Sequence, residues 1–353
     1  MLNIDCHVRA VMPTGSSPLM IVVVDAEEEF DWSKPFSRDA AATTSIAEQE
    51  RGHEIFDAFG IVPTYAVDYP VATGAEAALL VRLRREGRCE IAAHLHPWVN
   101  PPFAETLTAR NSYPGNLPPE LERRKLTLLI DAIETRFGER PTVYKAGRYG
   151  VGPATAGIIE ALGFRVDLSV VPHSSFSDDG GPDFSRCPDH PYWCGARQRL
   201  LEIPLSRAFA GMLAAAGPWL HPLLHRRLPR RLGIAGAFGA TRLLERITLG
   251  PEEADGSAHI RLLRQMIRDG HRIFTVAYHS TWLGLGKTPH IRTEAERRAF
   301  LARLREIFRH FRDDLGGAFT TPLAVHDLLS RARAGVPESR SAESRAAGTA
   351  APS

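Results

Sequence analysis

The chain has 353 residues, 44% of them hydrophobic, enough for one large unit or two medium ones, since α/β barrels run past about 250 residues as a single domain. Its 43 Lys and Arg nearly balance 41 Asp and Glu, which leaves no net field to hold a polyanion and excludes nucleic acid as the main partner. Four scattered cysteines, Cys6, Cys89, Cys187 and Cys194, exclude a secreted disulfide framework, and Asp5, His7 and Arg9 stand where a signal peptide would be apolar, so the expectation is a cytoplasmic protein with no membrane span.

In chain order, residues 1–17 read as an N-terminal extension, after which short β-branched runs alternate with helix-period stretches. Strands are expected near 19–26, 60–67, 89–94, 142–147, 164–170, 200–206 and 272–280. Helices are expected at about 44–59, 74–86, 118–137, 153–162, 257–269 and 293–312, with Gly60, Gly87, Gly163 and Gly270 as left-handed C-caps. Strict alternation implies parallel strands with helical crossovers, and about seven of them make a barrel. The stretch from about 207 to 250 departs from this pattern. It reads as an insertion of basic helices with apolar faces, suited to packing on the surface or to peripheral contact with a membrane or partner through Arg226, Arg227, Arg230 and Arg231. From about Arg331 to Ser353 almost nothing can be buried, which predicts a disordered tail after a domain spanning 18–330.

Chemistry in α/β barrels occupies the C-terminal strand ends, and five of those ends here are unusually polar. IVVVDAEEEFDW runs an apolar strand into Asp25, Glu27, Glu28, Glu29 and Asp31. These acids repel one another unless a cation compensates, and Asp25 and Glu27 share a face by strand alternation. EIAAHLHPW sets His94 and His96 two apart, a spacing that suits metal ligation by neutral imidazoles with a carboxylate completing the shell. VYKAGRYGVG carries Lys145 and Arg148 among glycines. FRVDLSV ends at Asp167 and Ser169, and IFTVAYHST at His279 and Ser280. A carboxylate, two histidines and a third histidine on a distant strand match the needs of metal-assisted hydrolysis: a cation, a base and an acid. A structural zinc at Cys187, His190 and Cys194 has only three ligands at unhelpful spacing, while Tyr192 and Trp193 there suit either a sugar groove or packing.

DAEEEFDWS, EIAAHLHPW, YKAGRYG, DLS and YHSTWLGLGKTP, in this order, resemble the motifs of the polysaccharide deacetylase family with its NodB-homology domain, especially its WalW-like branch of lipopolysaccharide-biosynthesis proteins. The resemblance covers about residues 18–328. It implies a distorted (β/α) barrel and removal of acetyl from an N- or O-acetylated sugar or glycan precursor, using a divalent metal, zinc before nickel, cobalt or iron. By the resemblance Asp25 is the base, and the metal-binding acid expected beside it is replaced by Ala26. Glu27 is the best substitute, ahead of Glu28 and Glu29. His94 matches the first metal histidine; the second falls on Trp98, so His96 takes over, and the ion rests on His94, His96 and an acid from Asp25 or Glu27. Lys145 stands where the family has an arginine that holds the base, with Arg148 sharing its work; Asp167 falls in the fourth motif, and His279 matches the general acid. A hydrolase of some other amide or ester and a non-catalytic carbohydrate-binding barrel are the alternative readings.

Overall fold

The structure, a computed structural model, describes residues 7–224, 236, 238, 239, 241–252 and 256–335. Its strands are β1 (Val8–Arg9), β2 (Leu19–Ala26), β3 (Thr64–Val67), β4 (Glu90–Leu95), β5 (Val143–Ala146), β6 (Val166–Asp167), β7 (Tyr192–Cys194), β8 (Leu200–Glu202), β9 (Arg207–Ala210), β10 (Glu245–Thr248), β11 (Ile273–His279) and β12 (Ala318–Phe319). Seven of them, in the order β11, β2, β3, β4, β5, β6 and β8, pair parallel throughout. Each falls on an expected run. The barrel closes between β8 and β11 through Ser206, whose N–H donates to the Thr275 carbonyl and whose Oγ accepts from the Thr275 N–H at 2.9 Å. That thin seam is the distortion.

β2 explains why strands form here. Met20 to Val24 are all within 1% of full burial, because one face packs on the helical layer and the other on the barrel interior. Period-2 alternation assigns the faces. Ile21, Val23, Ala66, Ala92, Val143, Val166 and Ile273 belong to the interior cluster, while Met20, Val22, Val24, Ala26 and Tyr144 belong to the outer one. Helices at Glu50–Phe59, Ala77–Arg85, Pro119–Phe137, Thr155–Ala161, Gly256–Arg268 and Glu294–Arg309 supply the outer layer. Gly60, Gly87, Gly163 and Gly270 all take positive φ after the helices they close.

Three boundaries differ from expectation. The N-terminal extension joins the sheet, since β1 pairs antiparallel with β7. The helix Pro322–Ala334 runs past Arg331 because Val325 and Leu329 bury against the barrel interior; residues 336–353 of the expected tail lie outside the described residues. The stretch 207–250 is not helical throughout: β9 and β10 form an antiparallel ribbon that carries the helix Gly217–Leu224. Arg226, Arg227, Arg230 and Arg231 lie outside the described residues. No helix among the described residues is long and apolar enough to cross a membrane.

Candidate active site

The interior face of four of these strands ends in a polar residue. Asp25 continues the phase of Ile21 and Val23, His94 that of Ala92, Lys145 that of Val143, and His279 that of Ile273. Four strands thus deliver four chemical groups to one mouth of the barrel. Ala26 faces the outer apolar cluster, where a carboxylate would be buried among aliphatic side chains; one residue on, Glu27 returns to the mouth. That alternation is the physical reason the acid stands at 27.

Glu27 Oε2 lies 3.4 Å from Nε2 of both His94 and His96, and all three residues are buried. The tautomer of His94 is set by its other nitrogen: Nδ1 lies 2.9 Å from the Lys145 carbonyl, which can only accept, so Nδ1 carries the proton and Nε2 keeps its lone pair. His96 Nδ1 meets Glu28 Oε2 at 2.7 Å, the carboxylate–histidine arrangement that frees Nε2 in the same way. Burial lowers the pKa of His96, which keeps it neutral. Behind it, burial pushes Glu28 up to about 8 and Asp68 well above the carboxylate range, so the two adjacent acids retain a proton between them. Trp98, in place of a second ligand, stacks on the His96 ring at 4.3 Å. Gly147 is required alongside, because a Cβ there would come within 2.2 Å of the His96 ring.

Glu27, His94 and His96 therefore fit a divalent transition ion: three buried donors of imidazole and carboxylate type converge within 4.8 Å, with both imidazole lone pairs presented. Asp25 is not in that group. Its carboxylate is bound by Lys145 and lies 3.7 Å from His279 Nε2. Burial alone would raise its pKa, but the Lys145 ammonium, with His279, outweighs burial and brings it to about 2, so Asp25 is ionised. For Glu27 burial likewise works upward and the charge on His279 outweighs it, leaving its pKa lowered.

His279 is held by a residue the sequence reading does not contain. Glu252 accepts from the His279 backbone N–H and approaches its Nδ1 at 2.9 Å. Burial opposes a charge on His279, yet Glu252, Glu27 and Asp25 raise its pKa well above the ordinary value. Glu252 has no strand-end signature; the ribbon's return path places it.

Two expected residues do not meet Asp25, although Arg148 lines the cavity over it. Arg148 does not reach Asp25: in a left-handed turn at φ 53 it swings to the rim, pairs with Asp179 and lies over the Tyr113 ring at 4.0 Å. Asp167 follows interior-facing Val166 and so points outward, where it accepts from Ser169 and shares a buried site with Glu202. Glu29 anchors Thr44, Ser45 and Lys287, and Asp31 closes an exposed turn with Ser33. Among the described residues Cys187, His190 and Cys194 form no converging group, and Tyr192 and Trp193 are buried in the two core clusters.

Over the site lies a cavity of about 160 Å3 whose lining includes Asp25, Glu27, His94, His96, Tyr149 and His279. It meets a groove of about 1000 Å3 walled by Trp32, Glu252, Trp282, Lys287 and His290, with Trp282 stacked on His290 at 5.1 Å.

No family model matches the chain, and no curated protein matches it in sequence. Solved structures do. One described as a polysaccharide deacetylase from Mycobacterium smegmatis superposes with a TM-score of 0.56 at 19% identity, over 93% of this chain and 95% of that one. The fold is the distorted barrel of the polysaccharide deacetylases. The PuuE allantoinase shares it, with a TM-score of 0.51 at 14% identity over 88% and 89% of the two chains.

Proposed function

We propose that the protein is a metal-dependent deacetylase that removes acetyl from an N- or O-acetylated sugar, in the assembly of a surface polysaccharide or lipopolysaccharide. The observation that carries this reading is the convergence of Glu27, His94 and His96 beside an ionised Asp25 and a Glu252-held His279 at one barrel mouth. The polysaccharide deacetylase from Mycobacterium smegmatis supports the chemistry by likeness of fold. The aromatic groove supports a sugar, whose apolar faces stack on rings such as Trp32 and Trp282.

A divalent ion, zinc foremost, held by Glu27, His94 and His96 would supply Lewis-acid polarisation of the scissile carbonyl and acidify water. The remaining work falls to side chains in place. Asp25, kept ionised by Lys145, takes the proton of the attacking water. His279, kept protonated by Glu252, gives a proton to the departing amine or alkoxide. Lys145 and Glu252 are positioning residues that set these two opposite protonation states.

Acetate release tests the reading. With N- and O-acetylated monosaccharides and short glycans, the purified protein should release acetate, lose that activity on chelation and regain it with zinc or cobalt. The allantoinase likeness supports a second reading, hydrolysis of a non-sugar amide; turnover of cyclic amides with no acetate from any acetylated sugar would favour it.

A further inference from the structure

The loop after β5 turns left-handed twice in succession. Arg148 and Tyr149 take φ of 53 and 56, a region that residues with side chains hold only where their surroundings impose it. Here the neighbouring loop imposes it: the Gly115 N–H donates to the Gly150 carbonyl at 2.6 Å. Both side chains line the cavity over the site. The Tyr149 ring serves the pair already described, with Lys145 Nζ 5.0 Å from its centre. Arg148 makes no hydrogen bond or ion pair with Asp25, Glu27 or His279.

The Arg148 guanidinium is nevertheless fixed in place. The Tyr113 ring lies 4.0 Å from it, and Phe36 and Trp32 close it in at 5.3 and 5.5 Å. Nη1 donates to Ser112 Oγ and the Ala109 carbonyl, and Nη2 to Asp179, while Nε has no acceptor among the described residues. That N–H belongs to the edge with which a guanidinium takes a carboxylate side-on. Charge favours an anion there. Asp25 is matched by Lys145, Glu252 by His279, and Glu27 is the acid of the candidate metal group. Asp179 is half exposed, so water screens its charge, whereas the Arg148 side chain is only 13% exposed and is screened less.

We propose that Arg148 sets substrate specificity by binding a carboxylate, so that the acylated sugar is an acidic one, a uronic acid or a sugar with a carboxylated substituent. The carboxylate enters the cavity, and the sugar ring lies on Trp32, which is 57% exposed and lines both the cavity and the groove. This names the substrate class of the hydrolase reading and rests on it for turnover; the binding preference does not.

Titration calorimetry of the full chain with glucuronate, galacturonate and mannuronate, each beside its neutral parent sugar, tests the preference without turnover. At least one uronate should bind about tenfold tighter than its parent. Arg148→Gln should lower that affinity about tenfold, with the parent sugar's affinity, the metal content and the circular dichroism spectrum unchanged, and Arg148→Lys should keep part of the preference. A residue that only tethers the rim loops would weaken acidic and neutral sugars alike. The proposal is overturned by the absence of any uronate preference, by a preference that survives Arg148→Gln, by equal weakening of both sugars in that variant, or by glucose 1-phosphate binding more tightly than every uronate. A protein that prefers uronates yet releases no acetate from any sugar would fail the hydrolase reading alone; one that releases acetate without the preference would fail this proposal alone.

Discussion

Replacing Asp25 by Asn should lower turnover by about 10²–10⁴-fold while metal content stays at the wild-type level. Asn is nearly isosteric and can still accept a hydrogen bond from Lys145, but it cannot take a proton from water. The candidate ligand group is Glu27, His94 and His96, so on the proposed reading nothing that would hold the ion is removed. The change also leaves the Lys145 ammonium buried without its counter-charge. Breaking a buried pair in this way costs about 3–5 kcal/mol, so the midpoint of denaturant unfolding should fall together with the rate. Parallel loss of rate and metal would instead place Asp25 among the ligands.

His279→Ala should give a second loss of about 10²–10⁴-fold, again with metal retained, because no acid then meets the leaving group. Its partner supplies a finer readout. The imidazolium donates only below its own pKa, so activity is present there and is lost as pH rises through it. Glu252 raises that pKa. Glu252→Gln removes a negative charge 2.9 Å from Nδ1, so the alkaline limb of the pH–rate profile should move to lower pH. An unmoved limb would show that His279 is not the titrating acid.

Much of this was legible in the sequence because alternation of period two is a strict rule. Once β2 is recognised from its unbroken apolar run, Asp25 and Glu27 must share a face and Ala26 must oppose it, and the structure places all three so. The convergence of Glu27, His94 and His96 follows from β2 and β4, parallel strands separated only by β3 and ending at one height. The same rule was available for Asp167: with Val166 facing inward, Asp167 faces out, and only the strand's two-residue length obscured the phase. Other features depend on geometry that has no local sequence signal. Arg148 turns from Asp25 to the cavity wall through a left-handed turn that a non-glycine residue does not advertise, and Glu252 arrives on the return of a ribbon whose strands were masked by basic, helix-compatible composition.

Metal content of the purified protein, measured beside His94→Ala and His96→Ala, tests the central claim most directly. Near one equivalent of a transition ion in the wild type, lost in both variants, is the predicted result. A wild type that binds no ion even after reconstitution, or variants that keep it in full, would contradict the account.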